Sequence, residues 1–140
     1  MLLTPKNKIE NNKNLCTNPN CKNPAHELQV FCHHIYELKK GLRNLVLATE
    51  KKENQQLIEA RLKKENISYI IHKITDTKIN VYFGNKHCIE IIATFDQRLN
   101  KLTPEQDFIL GIMLGYDRTQ QCCRYLKMRQ KNSKVEELVG

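Results

Sequence analysis

The chain has 140 residues, room for one domain with a modest core, and its 40% hydrophobic and 27% charged content is ordinary for a globular protein. No apolar run approaches the roughly 20 residues that cross a bilayer, and the opening MLLTPKNKIENNKN lacks the apolar core and cleavage site of a secretory signal. The formal charge of +8 speeds encounter with acidic partners but is spread along the chain. With no Trp, 6% aromatics and no basic–aromatic platform, nucleic acid is disfavoured as the partner. These features imply a cytoplasmic protein with no membrane association. There the six cysteines read as metal ligands, a reactive thiol or small core residues rather than disulfides.

In chain order, residues 1–26 read as a disordered basic arm carrying a Cys/Asn-Pro segment, 27–130 as an α+β domain and 131–140 as a flexible tail. Asn23 and Pro24 suit the cap and first position of a helix. Leu28, Phe31, Ile35, Leu38, Leu42 and Leu45 then follow in steps of three and four, which predicts a helix near 24–43. LVLAT at 45–49 continues that helix or opens a strand, and the amphipathic helix that follows near 54–65 favours the strand. SYIIHKI (68–74), KINVYFG (78–84) and HCIEIIATF (87–95) alternate and are β-branched, so each predicts a strand, the last two joined by a Gly84-Asn85 hairpin turn. TPEQ at 103–106 is a capping box with Pro at the first helical position. The helix it starts runs to about Arg129 with a break near Gly115. The expected fold is α+β: a small antiparallel or mixed sheet containing a β-α-β-β unit, packed with helices in one compact domain.

The densest chemistry lies in CTNPNCKNPAHELQVFCHH, residues 16–34. Cys16-x4-Cys21-x4-His26 has spacers short enough for one loop to gather ligands, and Cys32, His33 or His34 can supply a fourth, so a zinc site, with Cys32 as the fourth ligand preferred, is one reading. The spacing departs from the common two-residue knuckle and the fourth ligand sits inside a helix. A loop with two thiols and a helix-start histidine is the other reading, and the better supported.

Three further groups stand out. His34 falls on the edge of the apolar face of the first helix. His33 and Glu37, four apart, fall on the outer face beside Lys40, where they form a solvated pair. In GYDRTQQCCRY (115–125), Cys122 near arginines is a candidate nucleophile with His33 or His34 as its base. Small thiols beside surface arginines explain the same residues with less. Gly111 and Gly115 permit close approach of a second element.

The runs VFCHHIYELKKGLRNLVLATE, NVYFG, LTPEQDFILGIMLGYD and QCCRY, in this order from residue 30 to about 127, resemble a small bacterial family catalogued as a domain of unknown function. The matching motifs fall on His33 to Glu37, Gly41 to Arg43, Leu114 to Asp117, and Gln121, Cys122, Arg124 and Tyr125. The resemblance implies a compact α+β domain that pairs as a homodimer. Genes of the family often sit beside a flavodoxin gene, which implies an electron-transfer context. Cys32 departs from the family's apolar residue, and Cys16, Cys21 and His26 lie outside the shared core, so the zinc reading gains nothing from it. The function expected is a non-enzymatic module docking on an acidic protein such as flavodoxin through His33, Glu37, Lys39, Lys40, Arg43, Tyr116, Asp117 and Arg124. The alternatives are a thiol or redox enzyme built on Cys122, and a small zinc-binding protein.

Overall fold

The computed structural model describes the backbone of residues 28–139 and the side chains of residues 28–133. By contact the chain divides into two units, residues 1–42 and 43–140. The element described in the first is α1 (Gln29–Lys39), which buries Phe31 and Ile35 four residues apart on one face. It ends short of the expected residue 43. Gly41 takes a φ of 72° and donates to the Leu38 carbonyl at 3.1 Å, while the Leu42 N–H reaches the Glu37 carbonyl at 3.0 Å. This pair of bonds is the Schellman motif, and it turns the chain out of the helix. Leu42 therefore leaves the apolar stripe and is 70% exposed. The expected cap at Asn23 and Pro24 lies outside the described residues.

The second unit runs β1 (Leu45–Lys51), α2 (Gln55–Lys64), β2 (Ser68–Lys73), β3 (Lys78–Gly84), α3 (Lys86–Ala93), α4 (Pro104–Met113) and α5 (Arg118–Val139). The strands form an antiparallel sheet in the order β1-β3-β2, so the fold class is α+β as expected. LVLAT is a strand, extended to Lys51. The Schellman bonds recur at the end of α2, where Asn66 has a φ of 56°, and at the end of α4, where Gly115 has a φ of 83°. None of the described helices is long and apolar enough to cross a membrane.

β3 is central, and residues 79–84 are all buried. Strand alternation sends Tyr82 to one face, level with Leu47 on β1 and Ile70 on β2. There it joins Leu45, Ile89 and Ile92 of α3, and Leu110 and Leu114 at the end of α4, in one apolar cluster. Asn80, on the same face, is buried and accepts a hydrogen bond from the Thr49 hydroxyl at 2.7 Å, which offsets its desolvation. Ile79, Val81 and Phe83 point the other way. Tyr69 shares that second face, and its hydroxyl donates to Glu59 at 3.1 Å, tying α2 to that side with Ile58 and Leu62 buried.

One expected strand is a helix. Residues 87–95 were read from alternation, but Lys86–Ala93 is α-helical and Gly84-Asn85 is no hairpin turn. Both edges of β3 are already bonded, to β1 and β2, so the segment that follows has no edge of β3 to join. Asn85 instead caps the helix, its side-chain oxygen accepting the His87 N–H at 2.8 Å. Alternation puts Ile89 and Ile91 on one face, whereas the helix buries Ile89 and Ile92 and leaves Ile91 47% exposed. The capping box at Thr103 is formed with Gln106 as the sequence indicates, and the helical run breaks at Gly115.

Gly84 closes β3 beneath the Asn44 carbonyl, which also accepts the Asn85 N–H at 2.8 Å. A Cβ at Gly84 would run into that carbonyl oxygen, and the φ of 153° is one that side chains resist. Gly84→Ala should therefore destabilise the chain by roughly 2–4 kcal/mol through backbone strain and overpacking. Asn85→Ala, which removes only a cap, should cost about 1 kcal/mol. Urea unfolding of the two variants measures the difference, and equal losses would contradict this packing.

Candidate functional site

The acidic start of α4 and the basic run of α5 meet in antiparallel alignment. Asp117 starts α5, its carboxylate accepting the Gln120 N–H at 3.0 Å. Gly111 of α4 is buried against the Gln121 side chain, which would collide with any Cβ at that position. Gly115 does not share that contact: a Cβ added there would meet open space, and its role is the left-handed turn. Further along, the Arg124 guanidinium grips Asp107 with two bonds, Nε to Oδ2 at 2.8 Å and Nη2 to Oδ1 at 3.1 Å. These bonds to Asp107 hold the Arg124 pKa above the usual arginine value. The Glu105 Oε1 accepts from the Tyr125 hydroxyl at 3.3 Å and from Arg129 Nη1 at 3.2 Å. The Tyr125 ring lies 5.4 Å from that of Phe108.

The clamp uses up two of the basic residues of α5 and orients the others. Between Arg118 and Ser133 the helix carries Arg118, Arg124, Lys127, Arg129 and Lys131, with no Asp or Glu. Lys127 and Lys131, one turn apart and exposed, pair with no carboxylate among the described residues. With Gln120, Gln121, Cys123, Arg124 and Met128 they line an open cleft of about 470 Å³. From this run the sequence analysis names only Arg124 as a docking residue. The signal for the rest was there: lysines at i and i+4 on a helix whose first four turns contain no acid. What could not be read is that Arg124 and Arg129 are spent on α4.

On α1 the structure joins three of the expected residues. His34 Nδ1 lies 3.0 Å and His33 Nε2 3.7 Å from the same oxygen, Glu37 Oε1. Glu37 is not on a solvated outer face as expected: its side chain is 18% exposed, and that of His34 is 20% exposed. A carboxylate between two imidazoles can accept a proton bond from either ring. His33 stacks on Tyr36 with ring centroids 6.0 Å apart, and the Lys40 ammonium sits 5.7 Å from the centre of the same ring. Lys39 and Lys40 are exposed, while Arg43 lies beyond the helix end and is half-buried. Tyr116 is 55% exposed.

Of the catalytic candidates, Cys122 is exposed on α5 in the second unit, and His33 and His34 belong to the first. Of the zinc candidates, Cys16, Cys21 and His26 lie outside the described residues, and Cys32 is half-buried in α1. Among the described residues no group of three or more His, Cys, Asp or Glu side chains is placed to hold a metal.

The geometry is that of a small α+β domain presenting a basic helix face. A family model described as "Protein of unknown function (DUF2023)" matches residues 29–128, from α1 to the Met128 wall of the cleft. The chain belongs to that family. No curated protein matches it.

One charged group went unread in the sequence. The Asp96 carboxylate accepts from the Arg98 backbone N–H at 2.9 Å, from Nε at 3.0 Å and from Nη2 at 2.7 Å. These bonds, with a smaller contribution from His72, hold its pKa down to about 2. Its signal, Asp-x-Arg in a turn, is short and common. The carboxylate is favoured in the fold, so its stabilisation is present above the ordinary Asp range and is lost as pH falls through about 2. Titration followed by carbonyl NMR should place Asp96 at about 2. In Arg98→Ala, which keeps the backbone N–H bond, it should rise toward the ordinary value of about 3.9 without reaching it; no movement would remove the Arg98 side chain as the cause.

Proposed function

We propose that the chain is a non-enzymatic partner module that docks on an acidic protein through the exposed basic face of α5. One observation carries this reading: Lys127 and Lys131 project from a helix that has no acid between Arg118 and Ser133, while Arg124 and Arg129 are held by α4. Charge arranged this way is complementary to an acidic surface and acts chiefly on the rate of association. The clamp fixes the helix in advance, so little ordering entropy is lost on docking. Resemblance to proteins often encoded beside flavodoxin genes supports flavodoxin as the acidic partner. Lys39 and Lys40 of α1 are also exposed and add to the positive charge of the chain.

The test is binding of the full chain to flavodoxin at several salt concentrations. Exposed charges are screened beyond about 8–10 Å near physiological ionic strength, so affinity should fall steeply as salt rises. Lys127→Glu with Lys131→Glu should weaken binding about tenfold or more at low salt, mostly by slowing association, with the circular dichroism spectrum unchanged. Lys39→Glu with Lys40→Glu should have a smaller effect. Binding insensitive to both salt and the α5 substitutions, or no binding at all, would overturn the reading.

A further inference from the structure

We infer that the outer edge of β2 is a docking site for an extended, acid-bearing peptide segment of another protein, which joins the sheet as an added strand. The parity of the ladder decides which backbone groups are on offer. The Ile74 N–H bonds the Lys78 carbonyl at 3.0 Å, and in an antiparallel pair every second residue pair exchanges such bonds. The register therefore commits His72, Ile70 and Ser68 to Asn80, Tyr82 and Gly84 of β3. Tyr69, Ile71 and Lys73 stand in the pairs between, so their N–H and C=O groups point away from β3. Among the described residues no strand lies beyond β2, and α2 and α3 pack on its two faces rather than across its edge. Donors and acceptors repeating about 7 Å apart along a strand are matched by the backbone of an extended chain.

The two edges of the sheet are not alike. β1 opens with buried Leu45 and Val46 and ends in Thr49, Glu50 and Lys51, where charge discourages an added strand. β2 has no buried residue. Ser68 to His72 are all half-buried, with Tyr69 and Ile71 on one face and Ile70 on the other. The strand has no Pro and no break in register, and Lys73, at its end, is paired with Asp76 at 3.1 Å. Charge then selects the occupant. On one face Glu59 is taken by the Tyr69 hydroxyl, and the Lys63 charge lies near the same hydroxyl. On the other, Asp96 near His72 is held by Arg98. The local acids are thus engaged, which leaves Lys63 to meet an incoming carboxylate. A second copy of the chain would bring the same cations and another formal charge of +8, so an acidic segment is favoured over self-pairing. β2 offers this edge whether or not α5 docks a protein.

The test follows amide exchange by NMR in the full chain, with the capped peptide Glu-Val-Thr-Val-Thr-Val-Glu as the probe. In the free chain the amides of Tyr69, Ile71 and Lys73 should exchange about tenfold or more faster than those of Ile70 and His72. The peptide should slow the three edge amides. Methylating every internal peptide nitrogen keeps the side chains but removes the donors, and should weaken binding about tenfold or more. Replacing both peptide Glu residues by Lys should weaken it about threefold, a difference that shrinks at high salt. Ile71→Pro removes one outward N–H without touching the β3 ladder and should also weaken binding about tenfold, with the fold checked by circular dichroism. Edge amides that stay fast with the peptide present, or binding that survives the methylation, would overturn the inference. So would edge amides that become protected as the free chain is concentrated, since the edge would then belong to a second copy.

Discussion

The second unit depends on one strand that is occupied on every side. β3 is bonded along one edge to β1 and along the other to β2, and its residues from Ile79 to Gly84 are buried. A strand in that position needs apolar residues at successive positions rather than strict alternation, and INVYF supplies them. Its one interior polar side chain, Asn80, is satisfied by Thr49 across the ladder. Because no edge of β3 remains, the chain must leave the sheet after Gly84. The Asn44 carbonyl closes over that glycine, and Asn85 starts α3 at once. α3 then brings Ile89 and Ile92 back onto Tyr82, where the end of α4 adds Leu110 and Leu114.

From that core the position of α5 follows by short steps. Leu110 and Leu114 anchor α4, and Gly111 between them leaves room for Gln121 to lie close. Gly115 turns the chain, Asp117 caps the new helix, and the acids of the α4 first turn then face arginines in α5. Glu105 and Asp107 also sit near the helix N-terminus, where the dipole favours negative charge. Isolated exposed ion pairs contribute only about 0–1 kcal/mol each. The bidentate Asp107–Arg124 pair is therefore better regarded as fixing the rotation of α5 than as a large source of stability. That rotation leaves Cys123, Lys127 and Lys131 facing outward together.

What was legible in the sequence was whatever local chemistry decides. The capping box at Thr103, the break at Gly115, the α2 helix and the three strands each rest on a few neighbouring residues. α3 was misread because HCIEIIATF satisfies both periods: alternation is present, and so is the i, i+3 pair Ile89 and Ile92. Only the pairing of β3 on both sides excludes the strand, and that is a fact about residues 45–51 and 68–73. The end of α1 was legible in principle, since Gly41 is a strong stop, but the apolar spacing of Leu42 and Leu45 masked it. In the candidate site, Arg124 was picked out by its motif, while its engagement by Asp107, 17 residues earlier, was invisible. Lys127 and Lys131 gain weight only by contrast with the arginines that α4 holds.

A basic face fixed on α5 differs from diffuse positive charge in one observable respect, the locality of its response. The chain carries 23 Lys and Arg residues, and a diffuse field would engage many of them weakly. The most direct test is NMR of the full chain with its lysines isotopically labelled by reductive methylation, titrated with flavodoxin. Resonances of Lys127 and Lys131 should shift first and most, in step with each other, while those of Lys52, Lys73 and Lys86 stay in place. Small shifts spread evenly over all the lysines, or shifts confined to Lys39 and Lys40, would contradict docking through α5.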